Sequence, residues 1–146
     1  MIRIVVDRRP IDLAHEMATI EADGAGAVAT FTGLVRADDG VWSLELEHYP
    51  GATEAALGHL AEEATRRWSL LTATIVHRVG VMQRGERIVF VGVSARHRGA
   101  ALEACAFLID RLKTEAPFWK RETRGGDRRW VEPRDSDDAA AARWRA

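Results

Sequence analysis

The chain has 146 residues, 47% of them hydrophobic and 29% charged, with a formal net charge of -1 and one cysteine. That is chain enough for one domain burying roughly two-thirds of its unfolded surface, and the near-neutral balance excludes a global field for nucleic acid or acidic membranes, so any anion site must be a local cluster. A lone cysteine excludes an internal disulfide and a cysteine-based zinc site, and without a signal-like or membrane-length apolar run the expectation is a cytoplasmic protein.

In chain order, "IRIVV" predicts a strand and "DLAHEMATIEA" a short helix with Asp12 as N-cap. "GAVATFTGLVR" and "VWSLELEHY" are β-rich runs separated by the turn composition "ADDG", which predicts that they pair with each other as antiparallel strands. "TEAALGHLAEEATRRW" sets Leu57, Leu60, Ala61, Ala64 and Trp68 on one face of an amphipathic helix. "TATIVHRVGVM" and "RIVFVGVSA" read as two strands around "QRGE", the second apolar throughout and therefore central in a sheet.

"RHRGAALEACAFLIDRLK" follows as a helix with the stripe Leu102, Cys105, Ile109 and Leu112. It should stop before Pro117, which also pushes Ala116 towards extended backbone. "FWKRET" and "RRWVE" flank "RGGD" as a hairpin. The sequence 1–146 thus reads as a single domain, with 135–146 a weakly helical tail that frays or docks. Strands and helices alternate through hairpins too short for parallel crossovers, so the fold class is α+β with a mostly antiparallel sheet.

Several motifs are structural on their local pattern. "GAGAVA" (24–29) has dinucleotide-like glycine spacing, but it opens a strand where that motif must open a helix. Cys105 belongs to an apolar helix stripe and reads as a buried small hydrophobe, so any sulfur chemistry needs sulfur from elsewhere. His15 and His59 sit among surface residues, and His48 and His77 read as structural hydrogen-bonding groups.

Two features carry chemistry. Arg96, His97 and Arg98 fall where a buried strand gives way to a helix, so free N–H groups, the helix dipole and basic side chains can converge on one anion; a solvated basic turn is the structural reading. The other feature is lysine usage: beside nineteen arginines there are only two lysines, Lys113 and Lys120, both in "RLKTEAPFWKRE". Lysine can exchange a proton where burial or neighbouring cations permit, and arginine effectively cannot. Lys113 falls in a last helical turn, where a cation also answers the dipole. Lys120 lies past Pro117 on a strand whose alternation puts Phe118, Lys120 and Glu122 on one face and Trp119, Arg121 and Thr123 on the other.

With these residues assembled, the chain closely resembles the large, catalytic subunit of molybdopterin synthase. The segments "GAVATFTGLVR", "LELEHYPGATEAAL", "HRVGVMQRGERIVFVGVSARHRGAALEA", "LKTEAPFWKRE" and "WVEPRDSD" occur in that family's order and spacing, over nearly the whole chain. The resemblance implies an α/β-hammerhead arrangement within the α+β class, with no cofactor and no metal. It implies sulfur transfer to cyclic pyranopterin monophosphate from the C-terminal Gly-Gly thiocarboxylate of a small ubiquitin-like partner, on a homodimer of large subunits forming the core of a heterotetramer.

Family functional positions fall on Arg36, His97, Arg98, Lys113, Lys120, Arg121, Glu122 and Arg134. Leu34 departs from the lysine that the family often has there. On this reading Arg36, His97 and Arg98 anchor phosphate through charge-assisted hydrogen bonds. Lys113 and Lys120 share proton transfer and placement of the thiocarboxylate, undivided between them, and Glu122 orients Lys120. The alternative class is a non-catalytic module binding a ubiquitin-like tail or a phosphate ligand, which would tolerate arginine at both lysine positions. An enzyme carrying sulfur on its own thiol is a further alternative, against which the setting of Cys105 argues.

Overall fold

The computed structural model describes residues 1–36, 40–124, 127–130 and 135–144. The elements are β1 (Ile2–Asp7), α1 (Leu13–Ile20), β2 (Ala27–Leu34), β3 (Val41–His48), α2 (Ala52–Trp68), β4 (Thr72–Arg78), β5 (Gly80–Gln83), β6 (Arg87–Ala95), α3 (Arg98–Glu115), β7 (Phe118–Arg124), β8 (Asp127–Trp130) and α4 (Asp135–Ala142). They form two four-stranded sheets, ordered β1-β4-β6-β2 and β5-β3-β7-β8. All pairs are antiparallel except β1 with β4. The α+β class expected from the sequence is the observed one, and apolar β6 lies inside its sheet as its composition requires.

The main core lies between the first sheet and helices α2 and α3. Val89, Val91 and Val93 of β6 meet Leu57, Leu60 and Ala61 of α2 and Ala104, Phe107 and Leu108 of α3. Each such fully buried large side chain contributes roughly 1.5–3 kcal/mol relative to exposure. On the other face of the sheet Ile20 of α1, together with Ile11 just before that helix, covers Val76 and Phe90. Asp12 caps α1, accepting the His15 N–H at 3.2 Å. Arg3 of β1 grips the buried Glu16 carboxylate through Nε and Nη2 at 3.0 and 3.1 Å, fixing that helix to its sheet.

Three sequence expectations are corrected. First, β2 and β3 do not pair. β2 aligns along β6 from Ala27↔Ala95 to Gly33↔Val89, while β3 pairs with β5 and β7 in the other sheet. The Val35 N–H to Glu86 bond and the Gly85 N–H to Val35 bond hold the chain to the β6 side before it departs. Leu44 and Leu46 of β3 then enter a second core with Val79 and Met82. Second, "TATIVHRVGVM" is two strands in different sheets, broken before Gly80, whose φ of +90° is costly for any side-chain-bearing residue. Third, Leu102 is 63% exposed, and the buried face of α3 is Ala101, Ala104, Cys105, Phe107, Leu108 and Leu112. The stripe is broader than one seam because α3 packs against β2, β6, α2 and α4 together.

The glycines of "GAGAVA" have a structural explanation. A Cβ on Gly26 would come within 2.1 Å of the Arg96 carbonyl oxygen, so this position needs glycine for the close pass of the strand entrance against the start of α3. The tail docks. Trp144 donates Nε1–H to Asp110 at 2.7 Å and meets Trp68 and Phe107 edge-on, with centroids 5.8 and 5.7 Å away.

Candidate active site

The ends of α3 organise the basic residues. α3 terminates at Ala116, extended at φ -80° and ψ 125° as the following proline demands. Lys113 is exposed in the last helical turn, where its charge suits the dipole. After Pro117 the chain enters β7, in register with β3 at Phe118↔His48, Lys120↔Leu46 and Glu122↔Leu44. Strand alternation brings Lys120 and Glu122 to one face, with Nζ and Oε1 3.7 Å apart. Their side chains are 35% and 12% exposed, so a half-open amine is held by a nearly closed carboxylate.

Beneath this corner lies His77 of β4, stacked on the Phe118 ring at 4.0 Å with 28° between planes. Its Nδ1 lies 3.0 Å from the Arg78 carbonyl oxygen, which can only accept, so Nδ1 carries the proton. Burial first, then the charges of Lys113 and His48, lower its pKa to about 4 against the opposing pull of the Arg78 carbonyl. His77 is therefore neutral near pH 7. His48 Nε2 stands 3.7 Å from Glu54 Oε2, and its buried Nδ1 has no hydrogen-bond partner among the described residues.

The expected site residues divide into groups. Lys120 and Glu122 are paired on β7, and Lys113 lies in the last turn of α3, which leads into that strand. Arg36 is exposed just past β2, and because α3 runs back along β6 it lies towards the same end of the first sheet as Lys113. Arg121 points to the other face of β7 and pairs with Glu45 across to β3, its Nε donating at 2.9 Å. His97 and Arg98 stand at the opposite end of α3, where His97 is the N-cap residue and makes no side-chain capping bond. At 1.5 Å per residue, Arg98 and Lys113 are about 22 Å apart along the helix. Arg134 lies outside the described residues.

Leu34 is 54% exposed and lines a groove of about 510 Å³ with Ile11, Thr32, Arg78 and Arg87. Arg87 donates to the Ile11 carbonyl there, on the α1 face of the sheet, across from α3. Cys105 is buried at 7% exposure, and burial pushes its thiol up to about 11, so it stays protonated and sealed in the core. Among the described residues no three His, Cys, Asp or Glu side chains converge as a metal site requires. None of the described helices is long and apolar enough to cross a membrane.

Sequence reasoning passed over Thr53 and Glu45, and it took His77 only as a structural group. Thr53 and Glu45 act through partners 64 and 76 residues away, so neither leaves a local pattern.

The structure is an α+β domain with Lys113 and Lys120 on either side of the exit from α3, a basic start to the same helix and its one thiol buried in the core. The chain belongs to the MoaE protein family, whose profile matches residues 6–115. It is 50% identical over 146 residues to the molybdopterin synthase catalytic subunit of Escherichia coli K12, covering 97% of each chain. It is 51% identical to that of Pseudomonas aeruginosa, again with 97% of each covered. The solved MoaE protein of Burkholderia ambifaria superposes with a TM-score of 0.85 at 49% identity, over 99% of this chain and 98% of that one.

Proposed function

We propose that the chain is the catalytic subunit of a molybdopterin synthase, transferring sulfur from the C-terminal thiocarboxylate of a small ubiquitin-like partner to cyclic pyranopterin monophosphate to form the dithiolene of molybdopterin. Its setting is the cytoplasm. The observation that carries this reading is the α3–β7 corner, where the only two lysines of an arginine-rich chain flank one proline break. Both amines are accessible to a partner, with Lys113 exposed and Lys120 half-open.

The residues divide the work by charge and mobility. The ammonium groups of Lys113 and Lys120 attract the thiocarboxylate anion, and either can supply or take a proton as sulfur bonds to the pterin side-chain carbon, that carbon's bond to phosphate oxygen breaks to open the cyclic phosphate, and water then cleaves the acyl–sulfur bond to leave the partner's tail as a carboxylate. Glu122 limits where Lys120 can swing. Arg36, exposed at the same end, gives the substrate phosphate a fixed cation. Neutral His77 beneath adds no competing positive charge at neutral pH.

Arg98 is about 22 Å along α3 from Lys113 of its own chain, with His97 one residue farther, more than one small substrate reaches. They join the same site when two copies associate so that the α3 start of one faces the α3 end of the other. This is the form of homodimer we propose.

Two experiments test the reading. The purified chain should convert the cyclic precursor only with the thiocarboxylated partner; conversion with free sulfide alone, or none with the partner, would overturn it. For the dimer, a mixture of Lys113→Arg and Arg98→Ala chains should recover activity that neither has alone. Failure of two exchanged inactive variants to complement each other would remove His97 and Arg98 from the shared site.

A further inference from the structure

Thr53 is fully buried in the first turn of α2, yet its hydroxyl is used twice. The Tyr49 N–H donates to Oγ1 at 2.9 Å, and Oγ1 lies 2.6 Å from the Pro117 carbonyl oxygen. An amide N–H cannot accept and a carbonyl cannot donate, so the single hydroxyl proton must point at Pro117. The helix start has other means of closure. The Glu54 carboxylate accepts the Gly51 N–H at 2.9 Å, and the Thr53 N–H reaches the Tyr49 carbonyl at 2.9 Å. The long-range bond is what the hydroxyl adds.

Pro117 is the break between the two lysines, four residues after Lys113 and three before Lys120. Proline has no N–H, so its carbonyl is the only backbone hydrogen-bonding group by which the surroundings can hold it. Thr53 holds that group, while the stack of Phe118 on His77 and the register Phe118↔His48 fix the next residue. The angle at which α3 passes into β7 is therefore set from α2 on one side and β4 on the other.

We propose that Thr53 is a positioning residue for the lysine pair: through the Pro117 carbonyl its hydroxyl sets the distance and direction between the Lys113 and Lys120 ammonium groups. This rests on the reading above that both lysines serve one reaction. The same bond ties "HYPGAT" to "APFWKRE", far apart in sequence.

Because the chain has only two lysines, lysine-selective ¹³C labelling yields two side-chain signals, both from this corner. Thr53→Val should displace both signals and slow single-turnover product formation by about 10–100-fold, the cost of a misplaced catalytic group, at unchanged partner affinity. Thr53→Ser, which keeps the hydroxyl, should match wild type in both readouts. As a control for stability alone, Ile75→Val at a fully buried site in β4 should lower Tm without moving either lysine signal. If Thr53→Val does not fold, Thr53→Cys against Thr53→Ser poses the same question, since the pair differs chiefly in donor strength. Wild-type lysine signals and rate in the Val or Cys variant would overturn the proposal, as would equal displacement by Ile75→Val. A wild-type chain inactive with the thiocarboxylated partner would instead sink the functional reading, and the spectra would still decide the positioning.

Discussion

Lys120 and Glu122 stand on the same face of β7 with Nζ and Oε1 3.7 Å apart, and the carboxylate is the more enclosed of the two. An enclosed anion beside a half-open cation works as a tether, limiting the amine to a small arc over Leu44 and Leu46. Glu122→Gln keeps the shape and removes the tethering charge. We expect single-turnover conversion to fall about tenfold, equivalent to roughly 1.4 kcal/mol of lost positioning, with the urea midpoint nearly unchanged. An unaltered rate would mean that Lys120 is placed by the strand alone.

His77 gives a prediction for stability against pH. Its pKa in the folded chain is about 4, below the ordinary 6.5, chiefly because of burial. Between those values the unfolded chain binds a proton that the folded chain refuses, so stability rises with pH across that window and is lost as pH falls from 6.5 towards 4. The full effect is on the order of 3 kcal/mol. Urea unfolding at pH 7, 6 and 5 should show this slope in wild type and a shallower one in His77→Gln. Parallel slopes would remove His77 as the source.

Much of this architecture is legible in the sequence because it rests on periodicity. The apolar face of α2, the buried run of β6, the Asp12 cap and the stop before Pro117 all depend on residues within a few positions of one another. Strand partnership does not. β2 and β3 are neighbours in the chain, but β2 finds its longest apolar partner in β6, and β3 carries Leu44 and Leu46 to a different core. The lysine pair was visible because arginine is used almost everywhere else, and the resemblance gave it a role. Its supports, Thr53 on Pro117 and His77 on Phe118, are tertiary contacts, which composition and spacing do not encode. The separation of His97 and Arg98 from the lysines follows from α3 having 18 residues, a length known only once its start and stop are both fixed.

Cys105 is the chain's only thiol, buried and held protonated with its pKa near 11. Cys105→Ala should leave sulfur transfer close to wild type and cost about 1 kcal/mol of stability, the usual scale for a small core truncation. Thermal unfolding and single-turnover conversion check the two parts together. Loss of turnover in a folded variant would return the sulfur donor to this chain.

The lysine pair allows the sharpest separation of chemistry from charge. Arginine at position 113 keeps a cation at the end of α3, so the dipole interaction survives, and arginine at 120 can still pair with Glu122. Both variants should therefore fold and bind the partner. What they lose is an ammonium able to give up a proton near neutral pH, replaced by a wider planar guanidinium that cannot. Lys113→Arg and Lys120→Arg should each cut product formation by about 10²–10⁴-fold, the range for losing a general acid or base. Single-turnover conversion of the cyclic precursor with thiocarboxylated partner measures the rate, and a partner titration shows whether docking is intact. A loss in only one variant would assign proton transfer to that lysine and leave the other as an electrostatic anchor for the thiocarboxylate. Near wild-type rates in both would reduce the corner to a docking site for an anionic tail, the non-catalytic alternative that the sequence also allowed.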